Sequence, residues 1–220
     1  MAWDFAAQIH ALTGFDADSS DNTEVGETFR IMTAQWLKDA AKEVINILPL
    51  PMLKMCTSMQ TFGDVSKAPG SEAEVLNTSK VLSVFAGEYQ ARQIPSELKY
   101  KANDSDSLQY ATSTDPVFYI EGNKINILPS GLTAANLKYE EVQFPAISFD
   151  DIAIATFPDE AENLVVLKTS IIALEHLLAI EEDVELYAPT LANLRQDYMQ
   201  QVNALVLGTY SNPRTKETSK

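Results

Sequence analysis

The spacing of apolar residues changes twice along the chain, and these changes constrain the fold more than any other feature of the sequence. Between about Thr23 and Leu48, apolar residues recur every three or four positions, as on one face of a helix. From about Thr57, turn residues alternate with β-branched and aromatic stretches, which favours strands. The helical spacing returns at Phe157. The sequence therefore predicts a helix, then strands, then helices.

The first predicted helix has limits at both ends. An Asp- and Ser-rich loop, 16–23, precedes it, and Thr23 can cap its N-terminus. Pro49 and Pro51 end it, because proline lacks a backbone N–H and clashes with the preceding turn. The predicted apolar face consists of Phe29, Thr33, Trp36, Leu37, Ala40, Ala41, Val44 and Leu48.

The middle of the chain is predicted to be rich in β-structure. The clearest feature is a hairpin over 117–128, where Gly122 and Asn123 separate two strand-like stretches and tolerate the positive φ of a two-residue turn. Further strands are expected at 81–85 and 138–144. The polar segment 103–107 is expected to be an exposed loop.

The C-terminal region predicts two helices paired as a hairpin. The first begins near Phe157 and Pro158, and its apolar stripe comprises Leu164, Leu167, Ile171, Leu174 and Leu178. An acidic break is then expected at Glu181, Glu182, Asp183 and Glu185. The second helix is expected to follow Pro189, with a stripe of Leu191, Leu194, Tyr198, Val202 and Leu205.

Together these patterns predict an α+β fold, a helical bundle with a β-rich insertion. The bundle would consist of a long N-terminal helix plus the C-terminal helical hairpin, over residues 1–56 and 150–208. The insertion would be 57–149, and residues 209–220 would form a flexible C-terminal tail without core residues.

The charge balance excludes tight binding along nucleic acid. The 31 acidic residues outnumber the 16 basic ones, so the net charge of -15 opposes contact with a phosphate backbone. The same charge would let DNA pass through a channel without sticking, or would simply keep the protein soluble. No unbroken apolar run predicts a membrane span, and Asp4 near the N-terminus argues against a secretory signal. The single cysteine, Cys56, is best interpreted as a small buried apolar residue.

No motif predicts catalysis, a cofactor or a metal site. His10 and His176 have no cysteine partner at metal-ligand spacing, and nucleophile-elbow, phosphate-loop and dinucleotide motifs are absent from the sequence. The segment from Asp16 to Glu27 partly resembles a calcium loop, but Asp21 stands where the turn needs glycine, so a capped acidic loop is favoured. Two carboxylates brought together by folding would escape such a search, so an enzyme remains an alternative.

Two groups of residues each have two interpretations. The N-terminal aromatics Trp3, Phe5 and Phe15 either complete the core or contact a neighbouring subunit. The acidic residues Glu181, Glu182, Asp183 and Glu185 are either a solvated loop or a charged rim facing a channel or partner.

Three stretches of the sequence together resemble a family of virion structural proteins from tailed bacteriophages. The first joins residues 9–15, IHALTGF, to residues 35–46, QWLKDAAKEVIN. The others are 111–119, ATSTDPVFY, and 157–162, FPDEAE. The order of helix, β-rich insertion and helical hairpin also resembles the head-to-tail adaptors that form a ring beneath the portal.

The resemblance implies a structural role in the phage neck. It implies a homo-oligomeric ring, a dodecamer in the adaptors, that binds the portal and other neck or tail proteins and forms part of the DNA channel. The protein would be assembled in the host cytoplasm and located in the virion, without a cofactor or enzymatic activity. Portal contact would fall on the tail residues Tyr210, Arg214 and Lys216. Alternatives are another virion component, such as a tail or decoration protein, or a non-viral scaffold or ligand-binding protein.

Overall fold

The chain forms two compact units. The computed structural model describes residues 3–14, 24–62, 72–74, 80–122, 124–132, 136–181 and 184–207. The helical unit combines Met1–Cys56 with Phe144–Lys220, and the β unit is Thr57–Gln143.

The described part of the chain contains six helices and eight strands. The helices are α1 (Phe5–Thr13), α2 (Glu24–Ile47), α3 (Leu50–Leu53), α4 (Lys99–Asn103), α5 (Asp159–Glu181) and α6 (Val184–Val206). The strands are β1 (Thr57–Thr61), β2 (Glu72–Glu74), β3 (Val81–Ala86), β4 (Tyr89–Gln90), β5 (Arg92–Gln93), β6 (Val117–Glu121), β7 (Lys124–Leu128) and β8 (Leu137–Val142).

Helix α5 is the centre of the helical unit. Helices α1, α2 and α6 all pack against it. The buried apolar residues of α5 are Ala161, Leu164, Val165, Val166, Leu167, Ile171, Ala173, Leu174 and Leu177. A helix that is buried over most of its circumference is typical of a protein core. The first four residues of the predicted stripe, from Leu164 to Leu174, are buried, whereas Leu178 is only partly buried. The buried surface of α5 extends well beyond that stripe.

Helix α5 also has the length and composition of a membrane-spanning helix, the one such helix in the part of the chain that the structure describes. Core helices of globular proteins share this length and composition. Of the apolar stretch Asp159–Ile180, 56% is buried inside the protein. The packing of three helices around α5 therefore accounts for its apolar character.

Helix α1 has defined ends that separate it from α2. The Asp4 carboxylate accepts a hydrogen bond from the Ala7 N–H at 2.8 Å, which caps the N-terminus. At the other end Gly14 adopts a left-handed conformation with φ 69°, and its N–H donates to the His10 carbonyl. The N–H groups of Phe5 and Ala6 donate to the carbonyls of Asp151 and Phe149, both at 3.0 Å. A segment distant in sequence thus holds the start of α1.

The β unit contains two four-stranded sheets with a shared core. Their strand orders are β1-β8-β3-β4 and β2-β7-β6-β5. The core contains buried residues from both sheets, namely Val84, Ala86 and Leu137 with Phe118, Ile125 and Ile127. Ala91 lies between β4 of one sheet and β5 of the other, and its N–H donates to the Val84 carbonyl at 2.8 Å. On the opposite face of the second sheet, Val117 and Leu128 pack with Ala102 of α4.

The predicted hairpin over 117–128 is confirmed. Strands β6 and β7 pair antiparallel from Val117 opposite Leu128 to Glu121 opposite Lys124. Gly122 in the turn has φ 58°, the left-handed conformation that glycine adopts without strain. The strand predicted at 81–85 is also confirmed as β3, whereas the strand predicted at 138–144 extended too far, because β8 ends at Val142.

The predicted helical bundle with one long N-terminal helix is wrong as a description of the fold. The described residues form a mixed α+β structure with six helices and two sheets, and the N-terminal helical residues are divided among α1, α2 and α3. Apolar spacing located the elements, but it did not show that the strands form two packed sheets with their own core. It also did not show that the cap at Asp4 begins a separate helix.

Candidate assembly surfaces

Three polar contacts connect α5 to its neighbours along the flank of the helical unit. Near one end of the α5–α6 pair, Asn163 Nδ2 donates to Gln201 Oε1 at 2.9 Å, and near the other end Arg195 pairs with Glu175 at 2.8 Å. Between them Lys168 Nζ pairs with Glu43 of α2 at 2.8 Å. Arg195 and Gln201 lie on opposite sides of the apolar face of α6, which packs on α5, and the side of α6 away from α5 is exposed.

Tyr198 lies beside this polar group and stays un-ionised over the whole physiological range. Burial, together with the charge of Glu43 and a hydrogen bond to Glu43, raises the pKa of its phenol to about 12. The Lys168 ammonium lies 5.7 Å from the centre of the Tyr198 ring, within the range of a cation–π contact. Residues from α2, α5 and α6 therefore meet at one point, which fixes how α6 is rotated about its own axis.

A line of exposed residues on the outward side of α6, called here the α6 outer face, is uncharged, and the exposed Arg195 and Asp197 lie beside it. Its exposed residues recur every four and three positions and are Ala192, Gln196, Met199, Asn203 and Val206. Met199 is 57% exposed and Val206 is 58% exposed. Asp197 is the last charged side chain before α6 ends. In a chain with a net charge of -15, an exposed helical face of amide and apolar side chains is unusual.

A second uncharged surface lies at the N-terminus and is called here the α1 outer face, formed by Trp3, Ala7, His10 and Ala11. The Trp3 side chain is 59% exposed, although it is large and apolar. Phe5, two residues later, is only 1% exposed and belongs to the core. Of the three N-terminal aromatics, Trp3 is thus available for a contact, Phe5 is not, and Phe15 lies outside the described residues.

The predicted acidic loop is wrong where the structure describes it. Helix α5 continues to Glu181 and α6 already begins at Val184, so Glu185 lies exposed in the first turn of α6. Pro189 lies inside α6 and not before it. Pro189 is the sixth residue of α6, so it removes the backbone N–H that would otherwise donate to the Glu185 carbonyl, and the helix continues without that hydrogen bond. Glu182 and Asp183 lie outside the described residues.

The residues expected to contact the portal, Tyr210, Arg214 and Lys216, also lie outside the described residues. So do the first eight positions of the partial calcium loop, 16–23, whereas its last four positions begin α2.

The remaining candidates for chemistry lie apart from one another. The ring of His176 packs edge-on against Trp36 with a centroid distance of 5.2 Å, and His10 is exposed on α1. Cys56 is 1% exposed, and burial raises the pKa of its thiol to about 11, so its nucleophilic thiolate is scarce at neutral pH. Among the described residues, no three His, Cys, Asp or Glu side chains are placed to hold a metal ion.

The β unit has an open cleft of about 350 Å³. Its wall includes the side chains of Glu88, Tyr89, Ser113 and Asn136, beside Gly87 and Gly131 of two turns. Glu88 is the only carboxylate among the described residues of that wall, which contain no Lys, Arg or His. The described part of the cleft therefore combines one carboxylate with Tyr89 and neutral polar groups.

The α6 outer face was missed because the sequence was analysed for apolar stripes that face inward. A signal was nevertheless present in the sequence. The stretch from Tyr198 to Leu207 has no charged residue, which is unexpected for a helix with one solvent-exposed side in such an acidic chain. No protein-family model matches the sequence, and no curated protein matches it.

Proposed function

We propose that the protein is a structural subunit of the neck of a tailed bacteriophage. In this role, copies of the chain form an adaptor ring that joins the portal of the head to the tail and surrounds part of the DNA channel. The observation that carries the proposal is the α6 outer face, an exposed and nearly uncharged helical surface on a strongly acidic chain. The sequence resemblance to tailed-phage virion proteins is the reason for placing the subunit in a phage neck.

Electrostatics favours this assignment of α6. Copies that each carry a net charge of -15 repel one another, and the repulsion is strongest where carboxylates would face each other at short distance. Protein interfaces accordingly exclude charged residues from their centres and are enriched in methionine and aromatic residues. Met199 lies at the middle of such a surface, with Gln196 and Asn203 on either side able to form hydrogen bonds across a contact.

The acidic excess has a role in the same proposal. A ring that surrounds DNA must not hold it during packaging or ejection, and a surface rich in carboxylates repels the phosphate backbone. The subunit would need no cofactor and no catalytic residue. It would assemble in the host cytoplasm and remain in the virion, with Tyr210, Arg214 and Lys216 of the tail as portal contacts, by analogy with adaptors.

The test is to image the purified protein alone and mixed with the portal protein encoded by the same genome. Negative-stain images and mass measurement should show rings of the protein seated on the portal. Removal of residues 209–220 should weaken portal binding and leave the helical unit folded, as measured by circular dichroism. A protein that forms no particle with the portal under any of these conditions would refute the neck assignment.

A further inference from the structure

We infer that the α6 outer face of one copy packs against the α1 outer face of the next copy, with Trp3 as the main anchor. The inference rests on the proposed ring, and it names the two surfaces that would build that ring. It follows from two observations: the outer faces of α1 and α6 are both exposed and uncharged, and a ring requires two different contact faces on each copy.

The α6 outer face has the spacing needed to pack against another helix. Its five residues follow steps of four, three, four and three, the repeat by which one helix presents a continuous ridge to a neighbour. The ridge from Ala192 to Val206 is about 22 Å long at the rise of an α-helix. Apolar side chains alternate with amides along it, so a partner would be held by apolar contact and oriented by hydrogen bonds.

The α1 outer face offers a matching anchor. An exposed tryptophan is expensive to leave in water, and tryptophan is enriched among the residues that dominate binding energy at interfaces. The Trp3 backbone is held in place, since its carbonyl accepts a hydrogen bond from Gln8 Nε2 at 2.9 Å. The adjoining Asp4 carboxylate already caps α1, so it is engaged within its own copy.

The charges of the two faces are compatible. The α6 outer face is bordered by the exposed side chains of Asp197 and Arg195, and the α1 outer face is bordered by Asp4. Neither face contains a carboxylate, so a contact between them places no acid of one face directly opposite an acid of the other.

Ring symmetry selects two different faces. A contact between two identical faces closes a dimer, whereas a ring needs each copy to present one face to the preceding neighbour and a different face to the next. The outer faces of α1 and α6 belong to different helices, and both helices pack on α5. Each copy can thus carry both halves of the contact.

The experiment uses two single substitutions in the full-length chain, Trp3→Glu and Met199→Glu. Each places a carboxylate in one half of the contact, and each should weaken association of the pure variant by at least about 30-fold. In a 1:1 mixture, each variant retains the half that the other lacks, so the mixture should form dimers that cannot extend into rings. Native mass spectrometry at matched concentrations distinguishes monomer, dimer and ring.

The control is Ile31→Glu, which adds the same charge at an apolar side chain of α2 that is 62% exposed. This variant should form the same assemblies as the unchanged chain. Loss of assembly in this control would overturn the inference, because added charge alone would then explain the result. Circular dichroism of all three variants verifies that the helical unit is folded.

The outcomes separate this inference from the proposed function. Rings that persist in either Trp3→Glu or Met199→Glu would overturn the α1–α6 contact and leave the neck assignment intact. If the unchanged chain is a monomer alone and forms rings only on the portal, the inference that the α1–α6 contact assembles the chain by itself is also overturned. A chain that neither assembles nor binds the portal would overturn both.

Discussion

Substitution of Ser170 by alanine is expected to stabilise the helical unit. Ser170 lies on α5 with a relative exposure of 0%, and its Oγ has no hydrogen-bond partner among the described residues. A hydroxyl that exchanges water for an apolar environment without gaining a hydrogen bond costs free energy in the folded state. Alanine removes that hydroxyl and is also the better helix former.

The expected gain follows from three contributions. Leaving a buried hydroxyl unsatisfied costs about 1–3 kcal/mol, and the change to alanine adds up to about 0.5 kcal/mol of helix propensity. Loss of packing around one oxygen atom subtracts a few tenths of a kcal/mol, because the volume removed is small. We therefore expect the free energy of unfolding to rise by about 1–3 kcal/mol, which corresponds to about 2–12 °C in Tm for a chain of this size.

The measurement is urea unfolding followed by far-ultraviolet circular dichroism, which reports mainly on the helices. The midpoint should move to higher urea while the slope stays constant. The matched variant is Thr169→Val at the adjacent buried position. The Thr169 hydroxyl donates to the Val165 carbonyl at 2.8 Å, so its loss should lower stability by about 0.5–1.5 kcal/mol at nearly constant shape.

A loss of stability in Ser170→Ala would refute the reasoning. It would mean that the Ser170 hydroxyl forms a hydrogen bond of its own in solution, as Thr169 does. Equal effects of the two substitutions would likewise show that hydrogen bonding at these sites does not decide stability.

Three further changes test other parts of the structure. Burial raises the pKa of the Cys56 thiol from 9.0 to about 11, so the thiol stays protonated to higher pH in the folded state than in the unfolded state. The free energy of unfolding should therefore fall by up to about 2–3 kcal/mol as the pH rises from 9 towards 11. In urea unfolding measured across this pH range, Cys56→Ala should flatten the decline. Lys168→Met should lower the free energy of unfolding by about 0.5–1 kcal/mol in thermal unfolding. Glu175→Gln should lower it by less than about 0.5 kcal/mol, because Glu175 and its partner Arg195 are 45% and 58% exposed. A larger effect of Glu175→Gln than of Lys168→Met would contradict this ranking of the two ion pairs. Gly131 has φ 99°, so Gly131→Ala should destabilise the β unit by about 1–3 kcal/mol through backbone strain, measured by chemical unfolding against Ser130→Ala as control.

Several elements could be located from local sequence. The turn at Gly122 sits between two strand-like stretches, and the pairing of β6 with β7 followed because the strands are adjacent in the chain. The start of α5 after Pro158 was likewise signalled by proline and acids in the first turn. These features depend on neighbouring residues, which a sequence displays directly.

Other features depend on residues far apart in the chain. The parallel pairing of β5 with β6 and the passage of the chain between two sheets at Ala91 had no local signal. The same holds for α6, which begins at Val184 in spite of Pro189, because packing of its apolar side on α5 outweighs the local preference for a break.

The sequence by itself determined that helical segments precede and follow a β-rich segment in the chain, since apolar spacing and turn residues act over a few positions. Only the tertiary structure decided which neighbours those helices pack against. The Glu43, Lys168 and Tyr198 contacts join α2, α5 and α6, which are far apart in the chain. Ser170 of α5 is likewise buried without a hydrogen-bond partner among the described residues, and the spacing within one helix does not reveal such a feature because it depends on contacts between distant residues.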